Sequence, residues 1–157
     1  MNTSIHTLLR DAWGPQELTL RPPVSDVDIQ EFEQKFDVRV PDDVKTLFLT
    51  ANGFGSPNDQ DRNGFSFWPL NRVCPVAAFE DSEWCSSACD DCYLFADYLS
   101  LSWGYAVRLL NCQKLAPVCI VGAADRRPVW IAESFREFIE LYVSDDERLY
   151  SVKGTGR

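Results

Sequence analysis

VSDVDIQEFEQKFDVRVPDDVKTLFLTANG, residues 24–53, holds two amphipathic helices together with the signals that start and stop them. Ser25 is followed three residues later by Asp28, close to a capping box, so a helix is predicted to begin there. Ile29, Phe32 and Phe36 then fall on one face. Pro41 opens the next helix, because a first-turn amide has no intrahelical partner and the missing proline N–H costs nothing. Asp42 and Asp43 lie at the positive end of that helix's dipole. Val44, Leu47, Phe48 and Ala51 make its apolar stripe, and Asn52-Gly53 supplies residue types that accept a left-handed helix end.

Upstream, Ile5, Leu8, Leu9 and Ala12 recur at helical spacing, and the pattern stops at Gly14-Pro15. Downstream the periodicity changes. FSFW (65–68), VCPVAAF (73–79), YLFA (93–96), GYAVRLL (104–110), PVCIV (117–121) and PVWIA (128–132) are short runs rich in aromatic and β-branched residues. Tyr105, Val107 and Leu109 alternate with Ala106 and Arg108, as in a strand with one wetter face. Ser134-Phe135-Arg136-Glu137 is a capping box that opens a last helix with Phe135, Phe138, Ile139 and Tyr142 on its apolar side. The polar tail, residues 144–157, is expected to fray. No internal repeat or linker interrupts residues 1–157. The pattern predicts a single α+β domain, with N-terminal helices and a C-terminal helix packed on one mostly antiparallel sheet of about six strands.

Composition narrows the partners. Of the 157 residues, 45% are hydrophobic, which excludes a disordered chain and predicts a well-filled core. The formal net charge is −9 and unevenly placed. Residues 73–107 contain no Lys or Arg, but they carry Glu80, Asp81, Glu83, Asp90, Asp91 and Asp97. Two thirds of the excess therefore lies in less than a quarter of the chain. A surface of that sign repels phosphate, which argues against nucleic acid and anionic membranes and favours a basic partner. The start, MNTSIHTLLRDAWG, lacks the layout of a secretory signal. The longest low-polarity run, APVCIVGAA (116–124), is far short of the ~20 residues of a membrane span. A cytoplasmic location with mostly reduced thiols is the expectation.

Several motifs approach known chemistry. Cys85, Cys89 and Cys92 have C-x3-C-x2-C spacing, three thiolates close enough in sequence to share zinc, with Cys74, Cys112 or Cys119 as a fourth ligand. No fourth ligand has a defined spacing, and Asp90 and Asp91 disfavour thiolates unless a cation is already bound. A cysteine-containing surface loop is the plainer reading, so no metal or other cofactor is expected. The same spacing occurs in radical S-adenosylmethionine enzymes, but this chain is too short for their barrel. Asp59-x-Asp61-x-Asn63-Gly64 matches the first half of an EF-hand loop, yet position twelve is Leu70 where a bidentate Glu is needed. A polar turn is expected there. The one histidine, His6, lies on the first helix with no nucleophile placed beside it by the sequence. No phosphate-binding glycine motif is present. The chain is expected not to be an enzyme. Of the five tryptophans, Trp84 stands out inside the acidic, cysteine-rich connector. An aromatic anchor among carboxylates suits protein recognition, and a core-pinning role suits it equally.

These elements in this order resemble the SUKH superfamily, bacterial immunity proteins related to fungal cell-wall assembly regulators. Ile29, Phe32-Glu33, Pro41, Leu47 and Asn52-Gly53 match its helix-proline-helix-Asn-Gly pattern, and FSFWPLNRV (65–73) resembles the strand that follows. YLFADYLSLSWGYAVRL (93–109) is similar to its central hairpin, and PVWIAESFREFIELYV (128–143) to its last strand and helix. The resemblance covers most of residues 24–143, with residues 80–92 as a departure. It implies a non-enzymatic immunity protein that neutralises a cognate toxin, typically a nuclease or nucleic-acid deaminase, by direct binding. A regulatory or scaffold module like the fungal relatives is the alternative it implies. The expected contact surface is Glu80, Asp81, Glu83, Trp84, Asp90, Asp91 and Asp97, on a monomer or weak dimer.

Overall fold

The computed structural model describes residues 3–56, 58–79, 84, 89–110, 115–123 and 127–151. Its helices are α1 (Ile5–Trp13), α2 (Asp26–Phe36), α3 (Asp42–Thr50) and α4 (Phe135–Ser144). Its strands are β1 (Phe65–Phe67), β2 (Cys74–Pro75), β3 (Cys92–Tyr98), β4 (Trp103–Arg108), β5 (Val118–Val121) and β6 (Val129–Ala132). They form one antiparallel sheet in the order β1-β3-β4-β5-β6, with β2 also pairing with β3. The α+β architecture is as the sequence predicts.

Local chemistry accounts for most boundaries. The Ser25 hydroxyl accepts from Asp28 N–H and the Asp28 carboxylate accepts from Ser25 N–H, closing the box that starts α2. The box at α4 is offset. Ser134 caps the amide of Glu137, but the Glu137 carboxylate accepts from Glu133, one residue before the cap. Asn52-Gly53 does not cap α3, whose C-cap, Ala51, is extended. Instead the Asn52 side-chain carbonyl accepts from Leu70 N–H at 2.7 Å. Gly53, at φ 76°, passes so close to the Trp68-Pro69 backbone that a Cβ would overlap it. The dipeptide ties α3 to the end of β1.

Two other expectations are corrected. Run 73–79 contributes only Cys74–Pro75 as strand and then turns as a 3-10 helix over Val76–Ala78, since Pro75 has no N–H for a ladder. The expected frayed tail is packed as far as its described residues go. Glu147–Tyr150 form a 3-10 turn, Leu149 is fully buried, and its carbonyl accepts from the Tyr105 hydroxyl at 2.6 Å.

The inner face of the sheet carries the main core, where Phe65, Phe67, Phe95, Tyr105, Val118 and Ile120 meet Ile5, Leu9, Trp13, Leu47, Phe48 and Phe138 of the helices. The outer face carries a second core of Trp68, Val76, Cys89, Cys92, Leu94, Ala106, Cys119 and Val121. Ala106, expected on a wetter face, is therefore fully buried.

Candidate interaction surface

The outer face of the sheet gathers Trp84, Cys89, Cys92, Cys119 and Asp97, and it divides into a covered and an uncovered part. Over the covered part lies Trp84, half-buried against the second core and tilted on Phe79 with ring centroids 5.0 Å apart. Its indole lies on Gly104 of β4 and Gly122 just beyond β5, and a Cβ at either position would collide with the ring. The glycines make a flat seat that a larger residue would fill. Phe79 in turn meets Trp68 at 5.8 Å, and the Arg72 guanidinium lies 3.7 Å over the Trp68 ring. Trp84 is thus a packing residue of the outer core.

The acidic residues part company. Asp90 and Asp91 are exposed beside the start of β3. Asp97 is not at the surface: it is 2% exposed and accepts from the Trp68 indole N–H at 2.7 Å and from Leu101 N–H at 3.1 Å. The sequence places it next to the acidic connector, but the β3 bulge between Leu94 and Ala96 turns its carboxylate under Trp68. It stabilises the outer core and is removed from the expected contact surface. Glu80, Asp81, Glu83 and Cys85 lie outside the described residues.

Cys89, Cys92 and Cys119 are fully buried in the outer core, and the Cys92 and Cys119 thiols are hydrogen-bonded. That bond and burial push the Cys119 thiol well above its ordinary range. Among the described residues no group of three or more His, Cys, Asp or Glu side chains is arranged to hold a metal ion. Asp59 and Asp61 form the expected polar turn, with a role the spacing did not reveal. Asp61 is buried and accepts from the amides of Asn63 and Phe65 and from the Tyr142 hydroxyl. That hydroxyl accepts in turn from the Trp13 indole N–H at 2.8 Å. His6 is exposed, with Nδ1 3.0 Å from the Thr50 hydroxyl.

The uncovered part of the outer face holds Arg108 at the end of β4, stacked 4.6 Å over the exposed ring of Trp130 in β6. Tryptophan's size alone favours a core position for Trp130. The signal against this was its place in a short last run after Pro128, typical of an edge strand with one face open. Among the described residues no helix is long and apolar enough to cross a membrane.

Helices on the inner face of an antiparallel sheet, with a second core on its outer face and Trp130 exposed at its β6 edge, define a small α+β module. The chain belongs to the SMI1 / KNR4 family (SUKH-1), whose model matches residues 23–141. Members of this family are generally non-catalytic, and protein–protein interaction is the role the membership suggests. No curated protein matches the chain.

Proposed function

We propose that this chain is a cytoplasmic immunity protein that binds a cognate bacterial toxin domain and blocks it by direct contact. Membership of the SUKH-1 family carries the proposal. The charge supports it. A toxin that acts on nucleic acid gains from a basic surface that grips phosphate, and a chain of net charge −9 meets such a surface with complementary potential. Complementarity of this kind speeds encounter more than it deepens final affinity. The exposed Asp90 and Asp91 remain in the proposed contact region with Glu80, Asp81 and Glu83, while the Trp84 ring packs on Gly104 and Gly122.

The test is protection. The toxin domain to use is the C-terminal domain encoded by a large gene neighbouring this one. Cells expressing that domain should die alone and survive when this chain is co-expressed, and the two purified proteins should form a stable complex. Survival without co-expression, or death despite it, would overturn the proposal. A neighbourhood with no toxin gene, together with weak binding to several partners, would favour a regulatory module like the fungal relatives.

A further inference from the structure

Six large apolar side chains are exposed among the described residues: Val27, Leu49, Leu99, Leu110, Leu115 and Trp130. Three of them belong to one region. Trp130 of β6 is 40% exposed, pairs in register with Cys119 of β5, and so lies on the outer face with it. Arg108, in register with the outer-face residue Cys92, reaches across β5 to stack on the Trp130 ring. Leu110, 38% exposed, lies two residues beyond the end of β4, next to Leu109, which is buried in the main core. The Arg108 amide donates to the Pro117 carbonyl at 2.9 Å, and Leu115, 58% exposed, precedes Pro117 by two. An apolar centre of Trp130, Leu110, Leu115 and the Arg108 stem thus crosses the open end of the outer face. Exposed carboxylates border it: Asp90 and Asp91 before β3, and Glu133 after β6.

Protein interfaces have this organisation, with an apolar centre rich in tryptophan and arginine inside a polar rim. The opposite edge of the sheet lacks it. There Phe54 N–H donates to Phe67 O and Asp61 N–H donates to Phe65 O, so the chain's own loops cap β1. We infer that the Arg108–Trp130 stack, flanked by Leu110 and Leu115, is the anchor of this protein's partner interface, and that its occupant is a protein with an apolar contact ringed by basic residues. Arg148, at the same edge as Trp130 and Glu133, is paired with Glu137 and Asp146, so the sign is set by Asp90 and Asp91, whose backbone meets Leu109, and by the chain's net charge of −9, which favour a cationic border on the partner. The inference rests on the toxin-binding proposal and names the surface that proposal leaves open.

The experiment measures binding of the neighbouring toxin domain to the full chain by surface plasmon resonance. Trp130→Ala and Leu115→Asp are the test variants, and Val27→Ala and Leu49→Ser, at exposed apolar positions on α2 and α3, are the controls. Each test variant should raise Kd at least 100-fold, chiefly through faster dissociation, with both controls within twofold of wild type. Leu115→Asp alters an exposed loop residue, so it keeps the inference falsifiable should Trp130→Ala fail to fold. Tight binding by the wild type and by the folded test variants alike would overturn this surface while leaving the immunity proposal intact. Failure of the wild type to bind would overturn both. A wild-type dimer in sedimentation that Trp130→Ala dissociates would make a second copy the occupant and overturn the assignment to a basic partner.

Discussion

At the scale of single residues, the buried line from Trp13 through Tyr142 to Asp61 joins three distant parts of the chain. Each polar atom in it depends on the next, so removing the middle one strands its neighbours. Tyr142→Phe leaves a carboxylate oxygen and an indole N–H without their partner. It should cost about 1–3 kcal/mol, read as a lower urea midpoint with the m-value unchanged. The phenol also carries a pH dependence. Burial, with the Asp61 charge next, pushes Tyr142 far above its ordinary value of 10.0, and burial does the same to Tyr105. A group whose folded pKa is raised contributes fully below its unfolded pKa and loses that contribution as pH rises beyond it. Stability should therefore be insensitive to these tyrosines below pH 10 and fall as pH climbs above it, less steeply in Tyr142→Phe than in wild type. An equal fall in urea midpoint between pH 9 and pH 11 for wild type and Tyr142→Phe would contradict this.

Among the elements, the β3–β4 turn is the least expected. Leu99, Ser100 and Leu101 all have positive φ, at 47°, 54° and 70°, a conformation costing roughly 1–2 kcal/mol per side-chain-bearing residue. The turn is held by Leu99 N–H to Gly64 O, by Leu101 N–H to the Asp97 carboxylate, and by Gln60 to the Ser100 hydroxyl. Ser100→Gly should relieve part of the strain and stabilise the fold by about 0.5–1 kcal/mol, visible as a higher Tm. A Tm at or below wild type would mean that the hydroxyl contact outweighs the strain. This turn also marks where the sequence stopped being informative. Helices α2, α3 and α4 were legible because caps and apolar spacing are local signals, and the strands were legible from their β-branched and aromatic runs. Leu-Ser-Leu carries no turn signal, since its conformation is imposed by Gly64 and Asp97 from elsewhere. The outer core was hidden for a related reason. Trp84 finds its seat only because Gly104 and Gly122 are brought together by β-pairing, and Asp97 reaches Trp68 on the outer face only because β3 bulges.

For the whole molecule, charge and shape make separate contributions to binding. The carboxylates act at a distance, and salt screens them beyond about 10 Å at 0.1 M. Neutralising Asp90 and Asp91 together with Glu80, Asp81 and Glu83 should slow association with the toxin domain and flatten its salt dependence, with little change in dissociation. On-rates at low salt that match wild type would remove these acids from the encounter surface. The tie between Trp13 and Tyr142 also bears on how the chain is made. Helix α1 is synthesised early, but its indole N–H has no partner until residue 142 exists, and the Leu149 carbonyl that receives Tyr105 comes later still. At roughly 5–20 residues per second, α1 waits about 6–26 s for Tyr142 to be added, before that part of the chain has even cleared the ribosome. In the proposed immunity role the consequence would be one of timing: the fold closes only when late residues join early ones, so finished copies, not nascent chains, would give protection.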